Sequence, residues 1–191
     1  MYKKLVLFLA LAITIVCSPG TEAAKQVKVR MSTSLGDIDL VLYAGKAPGT
    51  VKNFLGYVDK GEYNGTIFHR VIKGFMIQGG GFDQKLEKRP TRIPIANEAD
   101  NGLKNLAGTI AMARTNIPDS ATNQFFINTA DNGFLDFKEK SAQGWGYTVF
   151  GKVIKGMDVV RKIESSPTRY YGPFQNLPAT TIVIKRVQRL K

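Results

Sequence analysis

One cysteine, one histidine and one tryptophan among 191 residues leave little material for most enzyme chemistries. The cysteine, Cys17, falls in an N-terminal stretch that reads as a leader, so the remaining chain has no thiol. Disulfides, cysteine nucleophiles and thiolate metal sites are therefore excluded from it. His69 alone cannot assemble a multi-histidine metal centre, and a lone histidine in a strand fits a packed, hydrogen-bonded side chain better than a general base. Ser120 and Ser141 lack a G-x-S-x-G context, and a serine triad would need that same histidine. No two acids stand at a spacing diagnostic of glycoside hydrolysis. Gly79-Gly80-Gly81 is followed by neither a helix pattern nor G-K-[ST], so a phosphate cradle is not expected. A bulge or a close backbone approach at a strand end fits the triple glycine better.

At the N-terminus, Lys3 and Lys4 precede an uncharged apolar run from Leu5 to Val16 that is too short to cross a bilayer. Small and turn-forming residues follow. This predicts a secretory signal peptide over residues 1–23, cut after Ala23, with no stable membrane insertion once it is removed. Bulky Ile15 and Val16 before Cys17 argue against a lipoprotein site. The whole chain carries +12; without Lys3, Lys4 and Glu22 the balance is +11. The basic residues are scattered, with no Lys/Arg block and no RNA-binding aromatic signature, so a solvated basic surface is expected and a nucleic-acid partner is not.

From Ala24 to Lys191 there is no repeat and no low-complexity linker, which predicts one domain. QVKVRMST and GDIDLVLY alternate apolar and polar residues about a turn at Ser34–Gly36, a hairpin pattern. PGTVKNFLGYVDKG puts Val51, Phe54, Leu55 and Val58 at helical spacing, with Pro48 or Thr50 to start the helix and Gly61 to stop it. IFHRVI, FMIQGG, GTIAMAR, NQFFINT, YTVFGKVI and TTIVIKRVQRL read as strands, and GMDVVRKIES as a second amphipathic helix. Eight short strands and two helices predict a mainly β fold, a closed eight-stranded antiparallel barrel capped by two helices. The segment from Asp83 to Gly108 has no periodicity and is long enough to line a groove.

Within the apolar strands a few polar side chains stand out. Arg70 lies inside FHRVI, and a guanidinium keeps its charge at ordinary pH, so burying it without partners is costly. It is either an edge-strand arginine facing water or a carboxylate, or a donor fixed on the floor of a groove. Gln78 and Gln124 are neutral hydrogen-bonding groups in similar surroundings. Phe75, Met76, Phe126, Phe134 and Leu135 could furnish an apolar pocket for an uncharged segment.

FHRVIKGFMIQGGGF, followed by GTIAMAR, NQFFINTADNGFLD and YTVFGKVIKGMDVV, resembles the cyclophilin-type peptidyl-prolyl isomerases. The resemblance runs from the first hairpin to the last strand, and with the leader and the NEADNGL segment it is most like the periplasmic cyclophilins of Gram-negative bacteria. It implies an eight-stranded barrel with two helices and isomerisation of Xaa-Pro bonds in exported polypeptides, without metal or cofactor. By motif, the catalytic arginine of FHR falls on Arg70, with Gln78 orienting it. The residues that hold the substrate fall on Phe75, Met76, Ala113, Arg114, Gln124, Phe126, Phe134, Leu135 and Tyr147. Three of these depart from the family pattern: Arg114 replaces Asn, Phe134 replaces Trp and Tyr147 replaces His. Phe134 lacks the indole N–H through which eukaryotic members bind cyclosporin, which implies weak cyclosporin binding. A non-catalytic prolyl-peptide binder or chaperone using the same groove is the competing reading, with an anion-binding barrel a more remote one.

The site reading carries a geometric requirement. A plain two-residue turn at Lys73-Gly74 pairs Ile72 with Phe75 and Arg70 with Ile77, leaving Arg70 and Gln78 on opposite faces. Both reach one face only if the register is offset by one residue, most simply by a bulge at Gly74.

Overall fold

A computed structural model describes residues 26–191; the signal peptide expected over residues 1–23 lies outside them. The first hairpin pairs β1 (Val27–Thr33) with β2 (Gly36–Leu42) through a turn at Ser34-Leu35. Its alternation is realised as read: Val29, Met31, Ile38, Leu40 and Leu42 are fully buried. Helix α1 (Pro48–Asp59) follows, with Val51, Phe54, Leu55 and Val58 on its buried face. Pro48 occupies its first turn, where no amide hydrogen is needed.

The cap of α1 comes from far along the chain. No side chain at Ala47 caps the helix. Instead the Glu98 carboxylate accepts the Gly49 and Thr50 N–H groups at 3.0 and 2.8 Å and the Thr50 hydroxyl at 2.7 Å. An anion at a helix N-terminus satisfies free amides and opposes the positive end of the dipole. Part of the long aperiodic segment is thereby tied to α1.

Strands β3 (Thr66–Ile72), β4 (Met76–Asp83), β5 (Thr109–Met112), β6 (Phe125–Asn128), β7 (Val149–Lys155) and β10 (Val183–Arg189) complete the barrel. Its cyclic order is β1-β10-β3-β4-β6-β5-β7-β2, antiparallel throughout. These are the eight strands read from the sequence. Helix α2 (Met157–Glu164) is the second predicted helix and buries Val160 and Ile163. One element escaped the reading: β8 (Thr168–Tyr171) and β9 (Phe174–Pro178) pair as a separate two-stranded sheet. All four β8 residues are exposed, so no apolar alternation marks the strand. No helix among the described residues is long and apolar enough to cross a membrane.

The barrel interior is aromatic. Phe54 of α1 packs edge-on against Phe125 at 5.8 Å and lies 5.2 Å from Phe150. Period-two alternation then decides what the opposite face receives. Ile77, Phe125, Ile127, Ile110 and Met112 belong to the interior cluster, whereas Met76, Phe126 and Ala111 join a second, smaller cluster with Leu135 and Val149. The two phenylalanines of QFF therefore serve different purposes, one filling the core and one building a surface pocket.

Candidate active site

The turn between β3 and β4 meets the geometric requirement. Gly74 adopts a left-handed backbone, φ +71°, and the Phe75 N–H donates to the Ile72 carbonyl at 3.1 Å. Pairing resumes with Ile72 opposite Met76, so Phe75 is the extra residue and Arg70 falls directly opposite Gln78. The Gly74 N–H donates to the Glu164 carboxylate at 2.8 Å, which anchors this turn to α2. A second irregularity, which the sequence reading lacked, lies at His69. The register shifts between Phe68 and Arg70, so both Phe68 and Val71 face the core while Arg70 stays exposed.

Arg70, Gln78 and Gln124 form one polar chain. Arg70 Nη1 donates to Gln78 Oε1 at 3.3 Å, and Gln78 Nε2 donates to Gln124 Oε1 at 2.9 Å. Beside it opens a pocket of about 320 Å³ lined by Arg70, Phe75, Met76, Gln78, Ala113, Arg114, Phe126, Leu135 and Tyr147. Nine of the eleven site residues named from the sequence thus converge on one hollow. Gln124 lies behind Gln78 and lines the adjoining groove. Phe134 does not line the hollow; it is 66% exposed and stacks on the outer side of Phe75, ring centroids 5.5 Å apart.

The pocket walls are held by buried amides that the sequence reading did not single out. The Phe75 carbonyl accepts from Thr129 N–H and from Asn132 Nδ2, both at 2.9 Å. The Leu135 carbonyl accepts from Tyr147 N–H at 2.9 Å and from Asn105 Nδ2 at 3.2 Å. Asn128 Nδ2 donates to Asn105 Oδ1 and Asn132 Nδ2 to Asn128 Oδ1, linking the three asparagines. Asparagines scattered through loops carry no periodic signal, and only the fold shows them meeting.

His69 lies away from the pocket, edge-on to Phe82 at 4.7 Å, with its Nδ1 atom unpartnered. Burial pushes its pKa down to about 4, so the ring is neutral at ordinary pH. That agrees with packing rather than proton transfer. In the triple glycine, Gly80 takes φ +88° and the register slips, the irregularity expected of the run. Among the described residues no three His, Cys, Asp or Glu side chains stand close enough to hold a metal ion.

Residues 28–189 match the family model described as cyclophilin type peptidyl-prolyl cis-trans isomerase. The chain is 54% identical over 174 residues to peptidyl-prolyl cis-trans isomerase A of Dickeya dadantii, covering 91% of this chain and 90% of that protein. It is 55% identical over 159 residues to peptidyl-prolyl cis-trans isomerase B of Escherichia coli, covering 83% and 97%. Among solved structures, a cyclophilin type isomerase of Cryptosporidium parvum superposes with TM-score 0.72 at 29% identity, covering 87% of this chain and 98% of that one. The same protein in the presence of the dipeptide Ala-Pro gives 0.71. With this barrel and this extent of identity, the chain belongs to the cyclophilin-type peptidyl-prolyl cis-trans isomerase family.

Proposed function

We propose that the protein catalyses rotation about Xaa-Pro bonds, with Arg70 as the catalytic donor, and that its clients are exported polypeptides. The observation that carries the catalytic reading is Arg70 opposite Gln78 at the mouth of an apolar pocket. Support for the client class comes from the leader-like composition of residues 1–23, which also favours a periplasmic location.

An Xaa-Pro amide turns slowly because rotation breaks resonance, a barrier of about 18–20 kcal/mol. No bond forms or breaks, so neither nucleophile nor proton shuttle is required. As the amide twists, the proline nitrogen loses conjugation and becomes a better hydrogen-bond acceptor. A guanidinium fixed beside it then stabilises the twisted state more than either planar isomer. Gln78, itself bonded to Gln124, restricts where Arg70 can point. Phe75, Met76, Phe126 and Leu135 supply an apolar bed for the proline ring, and Ala113, Arg114 and Gln124 border the flanking residues. If the hydrogen bond and desolvation together contribute about 4–7 kcal/mol, the acceleration is roughly 10³–10⁵-fold.

An Xaa-Pro isomerisation assay comparing the unaltered protein with Arg70→Ala tests this reading. Turnover by the first and strong loss in the second support it. Binding of prolyl peptides without any acceleration would leave the binder or chaperone reading instead.

A further inference from the structure

Two carboxylates are buried among the described residues, Asp39 and Glu164. Asp39 is accounted for by Arg30, which donates to both of its oxygens. Glu164 occupies a poor position for an acid. It is the last residue of α2 and only 7% exposed, so burial penalises its charge and the negative end of the helix dipole opposes it. The isomerisation step has no use for it, and its charge is offset by partners from two sides.

Those partners close a circuit beside the pocket wall. The Gly74 N–H donates to Oε1 of Glu164 at 2.8 Å, and Arg161 Nη1 donates to Oε2 at 2.9 Å. The same Arg161 nitrogen donates to the Thr129 carbonyl. The Thr129 N–H donates in turn to the carbonyl of Phe75, the residue after Gly74, at 2.9 Å. Helix α2 therefore grips the turn on both sides of the Gly74–Phe75 peptide. The β3–β4 ladder does not fix Phe75, which is the extra residue between the pair Ile72 and Met76. Its ring nevertheless lines the proline pocket.

We propose that Glu164 is a positioning residue: through the Gly74 N–H it sets where Phe75 stands, and so fixes one wall of the pocket that receives the proline ring. The inference rests on the isomerase reading of that pocket. A charged acceptor holds an N–H more firmly than a neutral one, which suits a wall carried on a turn rather than on a paired strand. Arg70 is placed by a different contact, its pairing with Gln78, which this circuit does not touch. Loosening the circuit therefore weakens the hold on the proline ring and leaves the rotation step intact, so KM moves and kcat does not.

The variants Glu164→Ala, Glu164→Gln and Arg161→Ala test this, each studied well below its melting temperature. Affinity is read by titrating one prolyl peptide into the isotope-labelled protein in NMR, and KM and kcat are measured separately. In Glu164→Ala affinity falls and KM rises about fivefold with kcat kept, as the loss of one charge-assisted hydrogen bond allows. The Gly74 amide then exchanges with solvent faster. Glu164→Gln returns an oxygen to Gly74 and brings affinity back to within about twofold. The Arg161 side chain is half exposed, so Arg161→Ala keeps the fold even where removal of Glu164 does not, and it loses about twofold in affinity. A helix contact that is merely structural lowers the melting temperature without moving affinity or KM, and that result overturns the proposal. Glu164→Gln binding as weakly as Glu164→Ala, or unchanged affinity in Arg161→Ala, overturns it too. Isomerisation with equal affinity in all four proteins overturns the positioning role and leaves the isomerase standing. Peptide binding that weakens in Glu164→Ala, with no isomerisation by any of the proteins, supports the positioning role and overturns the isomerase.

Discussion

The Arg114 guanidinium carbon stands 4.8 Å from the centroid of the Tyr147 ring. These are two of the three positions that depart from the family pattern, and the structure shows them in contact with each other. Arg114 is clamped by the Gly146 carbonyl immediately before Tyr147, and Tyr147 packs edge-on against Phe126 at 5.7 Å. The arginine therefore props one wall of the proline pocket. Removing it by Arg114→Ala forfeits a cation–π contact worth about 0.5–1 kcal/mol. KM is expected to rise about two- to fivefold with kcat kept, in steady-state assays on one peptide. Arg114→Lys restores little, since an ammonium cannot span the Gly146 and Thr115 carbonyls as the planar fork does. An unchanged KM in Arg114→Ala contradicts this role.

His69 gives the fold a pH dependence. It is 5% exposed, and burial sets its pKa near 4 against an ordinary value of 6.5. The unfolded chain therefore takes up the proton first as pH falls, so stability is full above pH 6.5 and declines toward pH 4. A displacement of that size corresponds to roughly 3 kcal/mol at the acid end. Asp39 and Asp59, beside Arg30 and Arg189, are held below the usual carboxylate value of 3.8. Burial pushes Glu164 up, but hydrogen bonds and Arg161 outweigh it and hold it below 4.5. Their contributions fade only at the bottom of the His69 window. Urea denaturation between pH 5 and pH 7 is expected to show a slope that His69→Phe removes; the same slope in the variant assigns it elsewhere.

Gly81 offers a test of the polar chain that leaves its members in place. A Cβ there would stand 2.5 Å from Gln124 Cγ, while the Gly81 backbone lies outside the left-handed region. In Gly81→Ala, Gln124 must swing away and release Gln78, which then holds Arg70 less firmly. Turnover is expected to drop about tenfold, the equivalent of one lost hydrogen bond near 1.4 kcal/mol. Wild-type turnover in this variant would show that Gln124 does not matter to the arginine.

Phe134 bears on inhibition. Its ring lies exposed against Phe75 and has no N–H to donate. Cyclosporin is expected to inhibit weakly, and Phe134→Trp, which restores a donor, to strengthen inhibition by up to about tenfold. Nanomolar inhibition of the unaltered protein contradicts this.

What could be seen in advance followed the range of the interactions. Barrel strands bury alternate residues, so Val29-x-Met31 and Ile38-x-Leu40 declare themselves locally. The one-residue offset in the β3–β4 turn was legible because Arg70 and Gln78 share a face only with it, although the extra residue is Phe75 and not the expected Gly74. The His69 irregularity was not, since Phe68 and Val71 both reach the core only after the bend. The Glu98 cap joins positions 48 and 49 residues apart, and the Asn105–Asn128–Asn132 chain joins loops with a strand. Such pairings depend on where the chain returns, which no local pattern encodes. The β8–β9 hairpin escaped for the opposite reason: β8 buries none of its side chains.

The central claim is that a guanidinium held by Gln78 stabilises a twisted prolyl amide. The most direct measurement is kcat/KM for one Xaa-Pro peptide with the unaltered protein and with Arg70→Ala, folding of both being checked by thermal unfolding. Arg70 is exposed, so its removal should cost little stability. A preorganised donor to the transition state is worth about 10²–10³ in rate. A loss of that size with the melting temperature kept is the expected result; equal kcat/KM in the two proteins contradicts a catalytic role for Arg70.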